Sequence, residues 1–158
     1  NGSKDTDISV GAYHVLEFDT DGTKQAEHFI NAVGEDLSGR LIPAVEVRLR
    51  GLYRLLPPDY YEAADNLADF CDRIEKQYGV RPVIYCTERT YKNIVASDSR
   101  FNKDKIWYES LFSKPDEDMN WTFWTYTNRV KFSFYESGEY LHMTVFNGSE
   151  DDFKKLIL

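Results

Sequence analysis

The hydrophobic pattern changes period from segment to segment along the chain. Residues 8–18, ISVGAYHVLEF, form a β-rich run that closes on the turn-like DTDG. Behind it, TKQAEHFINAV (23–33) carries apolar residues at helical spacing after a Thr cap. GRLIPAVEVRL (39–49) returns to a strand. Residues 57–79 give the clearest helix: Pro-Pro-Asp opens it, Leu67, Phe70 and Ile74 are apolar positions within it, and Gly79 stops it. VRPVIYCT (80–87) is a buried strand and ERTYKNIVAS (88–97) a short helix. KIWYES (105–110) and NWTFWTYTN (120–128) are strands flanking a polar loop that holds Lys114, Pro115 and Asp116. Residues 131–146 read as a hairpin around Ser137 and Gly138, and SEDDFKKLIL (149–158) closes as a capped helix.

Alternating strands and helices followed by a hairpin-rich end predict an α/β layered or barrel architecture. Six or seven strands can be counted, fewer than a closed eight-stranded parallel barrel requires. No internal repeat and no linker divides the chain, so residues 1–158 are read as one domain. A hydrophobic share of 42% supplies a core of ordinary size. The net charge of -8, with no basic face in view, argues against nucleic acid, because phosphate binding needs clustered cations. No stretch approaches the roughly 18 apolar residues of a membrane span, and the first residues lack the apolar run of a signal peptide. The two cysteines, Cys71 and Cys86, are too few for a disulfide framework and match no metal spacing, so they read as small buried apolar residues.

Candidate chemistry concentrates in IPAVEVRLRG (42–51). Glu46 and Arg48 stand two residues apart at the end of a buried strand, so both side chains point to the same face. The C-terminal ends of barrel strands are where barrel enzymes keep their reacting groups. Two carboxylates there would suggest a glycosidase. Here one of the two is an arginine.

Five segments in order, VGAYHVLEFDTDGTKQAEHFI, PAVEV, YGVRPVIYCTERTY, WTFWTYTNR and VFNGSEDDF, resemble the family 25 glycoside hydrolases, the Chalaropsis-type lysozymes. The resemblance runs from about Gly11 to the C-terminus. It implies an irregular TIM-like β/α barrel that uses no metal or cofactor and cleaves the muramic acid–glucosamine linkage of peptidoglycan. It further implies a secreted or cell-surface protein. The family's first strand carries an Asp-x-Ser pattern and is followed by a second strand; NGSKDTDIS matches neither, so this chain is expected to start at the family's third strand. An Asp-x-Glu pair ends the strand matching PAVEV, which puts Glu46 at the Asp position and Arg48 at the Glu position. The family's Asp-Leu-Asn falls on His142, Met143 and Thr144, and its Gln after Trp124 falls on Thr125.

These departures bear on mechanism. In the family, the Glu now replaced by Arg48 protonates the leaving oxygen, and an arginine, with a pKa above about 12, cannot do so. The expected reading is therefore a lysozyme-like domain that binds glycan or serves a structural role without cleaving. An active muramidase with a relocated acid, and an interaction module completed by a partner chain, are the alternatives. Within the site, Arg48 is expected to pair with Glu46 or to contact an anion or glycan. Glu17 and Asp19 read as a solvated rim, with Glu17 also able to face the interior as an acid. His14 reads as a packing or hydrogen-bonding residue, and His14, His142 and Glu46 share no metal-ligand spacing. Tyr13, Tyr85, Trp107, Trp124 and Tyr126 are divided between core and sugar-stacking roles. An open sheet edge at 8–18 would invite pairing with a second copy.

Overall fold

In the computed structural model, which describes residues 8–132 and 140–158, the apolar runs become neighbouring strands in chain order. β1 (Tyr13–Val15), β2 (Ala44–Val47), β3 (Val83–Thr87), β4 (Ile106–Glu109) and β5 (Trp121–Val130) are parallel neighbours. β6 (Leu141–Phe146) returns antiparallel to β5. Parallel pairing requires a crossover between successive strands. α1 (Gly22–Val33) supplies the first and α2 (Tyr60–Tyr78) the second. The third contains α3 (Glu88–Thr90), which winds on as a π-turn over Tyr91–Val95. The segment read as a short helix is thus two kinds of helix in series. Among the described residues β1 pairs only with β2, and no helix is long and apolar enough to cross a membrane.

The first strand is shorter than the β-rich run suggested. Ladder contacts nevertheless continue beyond it: Leu41 N–H donates to the Val10 carbonyl, and Leu16 N–H to that of Glu46, both at 2.9 Å. The turn expected at Ser137 and Gly138 lies outside the described residues. The closing helix, α4 (Glu150–Lys154), begins with a reciprocal Ser149–Asp152 cap and ends early. Its tail instead pairs with the start of the second strand segment, Ile42 N–H donating to the Leu156 carbonyl at 2.8 Å. A bridge between Leu41 and Ile157 extends that pairing.

Helix boundaries follow from side-chain chemistry. α1 is capped by Asp21, whose carboxylate accepts the Lys24 N–H at 2.8 Å, rather than by the expected Thr. Gly22 explains the earlier start: a Cβ on it would sit 1.9 Å from the Asn66 carbonyl oxygen. Only a glycine lets α1 approach α2 this closely. The Asn66 amide oxygen in turn accepts the Gly22 N–H at 3.2 Å. α2 is capped by Asp59, and Gly79 ends it in the left-handed region with φ 74°.

Alternation along the strands separates two environments. Val45, Val47, Ile84, Cys86, Ile106 and Tyr108 point outward and pack with Phe29, Leu67, Phe70 and Ile74 of the helices. Each fully buried side chain of the Leu, Ile or Phe type contributes about 1.5–3 kcal/mol. Both cysteines are free and buried in this layer, where burial pushes their thiols well above the ordinary range. The inner face is apolar near the strand starts, where Ile42, Val83 and Leu156 pack with Trp107, Phe123, Phe146 and Phe153. Towards the strand ends it becomes charged.

Candidate functional site

Glu46 and Arg48 project from the inner face at the end of β2, as their two-residue spacing requires. Arg48 Nε donates to Glu46 Oε1 at 2.7 Å, and Arg50 Nη2 donates to Glu46 Oε2, also at 2.7 Å. Arg48 reaches in the other direction to the end of β4, where its Nη1 donates to Glu109 Oε1 at 3.0 Å and its Nη2 to Glu109 Oε2. The same Nη2 donates to the Tyr85 hydroxyl at 2.8 Å, and that hydroxyl donates to Glu109 Oε2. One guanidinium therefore bridges two carboxylates from different strands, with both oxygens of each carboxylate engaged. Glu46 is 4% exposed and Glu109 9%, so neither draws much on water.

Electrostatics follow from this closure. Burial works to raise the Glu109 carboxyl, but the Arg48 and Tyr85 hydrogen bonds and the Arg48 charge outweigh it and hold the group below its ordinary value. The Tyr85 hydroxyl is pushed far up, first by burial and then by Glu109. Burial opposes the Arg48 charge, yet Glu109, Tyr85 and Glu46 hold its guanidinium well above the ordinary range.

A cavity of about 490 Å³ opens above this network. Tyr13, Glu46, Arg48, Tyr85, Trp107 and His142 line it, which brings together six of the residues singled out in the sequence. Arg50 and Arg54 complete the rim. Glu17 faces an adjoining cavity, shared with Arg48 and Arg50. Trp124 and Tyr126 do not line the cavity. β5 presents Phe123 and Thr125 inward, and Trp124 packs against the helix-side core with its Nε1 donating to the Ser110 carbonyl at 3.0 Å. Tyr126 is exposed beside it, ring to ring at 5.7 Å.

Trp107 is held from both sides. Tyr85 on β3 stacks on it at 4.7 Å and Phe123 on β5 tilts against it at 5.4 Å. Its Nε1 donates to the Thr125 hydroxyl at 2.9 Å, and that hydroxyl pairs with Thr144 at 2.7 Å. Tyr13 is different: it is 65% exposed at the cavity mouth. His14 lies on the helix side of the sheet, stacked on Phe70 at 5.0 Å with Nε2 2.9 Å from the Gln25 amide oxygen. It is thus on the opposite face from Glu46 and His142. Among the described residues no group of three or more His, Cys, Asp or Glu side chains is placed to hold a metal ion.

Sequence reasoning missed Glu109, Arg50 and Arg54. Glu109 did carry a signal, because a carboxylate ending the apolar run Ile106–Glu109 repeats the situation of Glu46 at the end of β2. Arg50 continues the two-residue spacing of Glu46 and Arg48.

The family model for glycosyl hydrolases family 25 matches residues 1–133. The structure of a family 25 glycosyl hydrolase from Bacillus anthracis is similar at 31% identity and a TM-score of 0.83, covering 97% of this chain and 70% of that one. A bacterial lysozyme from Streptomyces coelicolor shares the fold at 23% identity and a TM-score of 0.74, over 92% of this chain and 70% of the other. So does a GH25 lysozyme from Aspergillus fumigatus, at 18% identity and a TM-score of 0.75, over 98% and 76%. No curated protein sequence matches. With a six-stranded α/β sheet of this kind and a family match over most of its length, the chain belongs to glycosyl hydrolase family 25.

Proposed function

We propose that this chain is a non-hydrolysing member of the family that holds a cell-wall glycan in the cavity above β2, β3 and β4. The observation that carries the reading is Arg48, clamped between Glu46 and Glu109, together with the sequence resemblance that sets it opposite the family's proton donor. Glycoside cleavage needs an acid that keeps a proton near neutral pH and releases it to the leaving oxygen. A guanidinium does not release one. Glu109 is the nearest candidate for a relocated acid, but its carboxyl is pulled down rather than up, the wrong direction for a proton donor. Glu46 has both oxygens engaged by guanidinium N–H groups.

Glycan binding is supported by the cavity's place at the strand ends and by its aromatic lining, Tyr13 and Tyr85 above all. The test is incubation of the purified chain with insoluble peptidoglycan, reading retention on the pellet and release of reducing ends together. Retention without release is expected. Release above background that is lost in Glu46→Gln or Glu109→Gln would replace this reading with that of an active muramidase.

A second reading rests on β1, which has a strand partner on one side only among the described residues, with Tyr13 exposed in it and Ile8 and Val10 exposed just ahead of it. Such an edge invites strand addition by a second copy. Light scattering across a concentration series tests it, and a monomer at every concentration would dismiss it.

A further inference from the structure

The cavity that we read as a glycan site carries an unusual excess of donors. Three guanidiniums, Arg48, Arg50 and Arg54, line it together with His142, whereas among the described residues Glu46 is the only carboxylate in the lining. Glu46 and the adjacent Glu109 already accept from Arg48, Arg50 and Tyr85 at all four of their oxygens. Arg50 uses one nitrogen of its fork on Glu46, and its side chain is 55% exposed. Among the described residues, Arg54 has no carboxylate within ion-pair distance, and no hydrogen bond fixes the His142 ring. Among the described residues, the cavity lining together with Glu109 sets three guanidiniums against two carboxylates, with Glu17 in the adjoining recess forming no ion pair with any of them. This positive recess sits in a chain whose net charge is -8.

The ring-stacking surface is equally specific. Trp107 already has Tyr85 stacked on it and Phe123 tilted against it, so much of its ring surface is engaged. Tyr13 is exposed at the mouth of the same cavity, and no ring stacks on it among the described residues.

From these two features we infer that the cavity takes an anionic saccharide, a sugar bearing a carboxylate or phosphate group. Its ring lies against Tyr13, and its anionic group is received by the unused donors of Arg50 and Arg54. The planar guanidinium fork suits both anions, since each presents paired oxygens at matching spacing. The inference rests on the glycan-binding reading and narrows it to charged ligands.

Calorimetric titration separates the two. The probes are a neutral N-acetylglucosamine tetramer, a galacturonate tetramer, glucose 1-phosphate and inorganic phosphate, each against the wild-type chain, Arg54→Gln and Tyr13→Ala. A single well-placed charge-assisted contact is worth about tenfold in affinity. The galacturonate tetramer or glucose 1-phosphate is therefore expected to bind at least about tenfold more tightly than its uncharged counterpart, glucose serving as the counterpart for the phosphate. Arg54→Gln should cut that margin, and Arg54→Lys, which keeps the charge, should restore part of it. Tyr13→Ala should weaken both charged sugars. Equal affinity for neutral and charged tetramers would overturn the inference and leave glycan binding standing. Binding of inorganic phosphate as tightly as glucose 1-phosphate, indifferent to Tyr13→Ala, would overturn the saccharide part. A folded wild-type chain that binds none of the probes, and is not retained on peptidoglycan, would overturn both readings.

Discussion

Arg48→Met is the sharpest perturbation of this structure, because one side chain satisfies two buried carboxylates. Methionine keeps much of the aliphatic stem and removes every donor. Breaking a buried pair by deleting one partner costs about 3–5 kcal/mol, because the other charge is left behind. Two features favour the lower end: the Arg48 side chain is 23% exposed, and Glu46 keeps Arg50 while Glu109 keeps Tyr85. A loss of about 3 kcal/mol corresponds to roughly 6–12 °C in Tm for a chain of this size. The pH dependence is the more telling readout. In the wild type, Glu109 sits below its ordinary value of 4.5, so its contribution is present above that pH and fades as pH falls through the lower folded value. Without Arg48, burial dominates and the Glu109 carboxyl rises above 4.5. The folded variant then takes up a proton that the unfolded chain does not, and it gains relative stability as the solution is acidified. Each unit of upward shift returns about 1.4 kcal/mol. Thermal melts followed by circular dichroism at about pH 7 and about pH 4 should therefore show a wide gap between wild type and variant that narrows in acid. The double variant Arg48→Met with Glu109→Gln should recover about 1–2 kcal/mol at neutral pH, since it removes the stranded charge. A gap equal at both pH values, or below about 1 kcal/mol at neutral pH, would refute the bridging account.

Two further outcomes follow from the scaffold. Gly22→Ala puts a methyl group 1.9 Å from the Asn66 carbonyl oxygen and should force α1 off α2, costing about 1–3 kcal/mol in urea unfolding with activity-independent readouts; an unchanged midpoint would show that the crossing is loose. Cys71 and Cys86 are fully buried with thiols pushed up, so neither should react with a thiol reagent at neutral pH until the chain unfolds, and rapid labelling of the native protein would contradict their placement.

Much of this arrangement was legible in the sequence because its signals are local. The run 57–79 carries its own cap, apolar positions and stop, and it became α2 between Asp59 and Gly79. Strand geometry alone puts Glu46 and Arg48 on one face, where pairing was one of the expected outcomes and is the one found. What escaped was non-local. Glu109 meets Arg48 across 61 residues, and only strand order brings β2, β3 and β4 side by side. β5 carries aromatics at both parities, Phe123 on one and Trp124 and Tyr126 on the other, so its sequence does not say which set faces inward. A register shift between Ile106 and Trp107 obscures the count further. The cap of α1 moved to Asp21 because a contact with α2, not the local pattern, decides where that helix begins.

The division of labour between odd and even positions of β2 has a consequence for how such a site can change. Val45, Val47 and Leu49 belong to the helix-side core, while Glu46 and Arg48 face the cavity and contribute nothing to that packing. The floor can therefore exchange one charge set for another without repacking the layer that holds the fold together. Coupling among the charged residues sets the remaining constraint: Glu46, Arg48 and Glu109 are viable as a set and poor as single replacements. Evolution or directed selection on this scaffold should move by compensated pairs, and a library that varies 46, 48 and 109 jointly should yield far more folded chains than libraries varying any one of them.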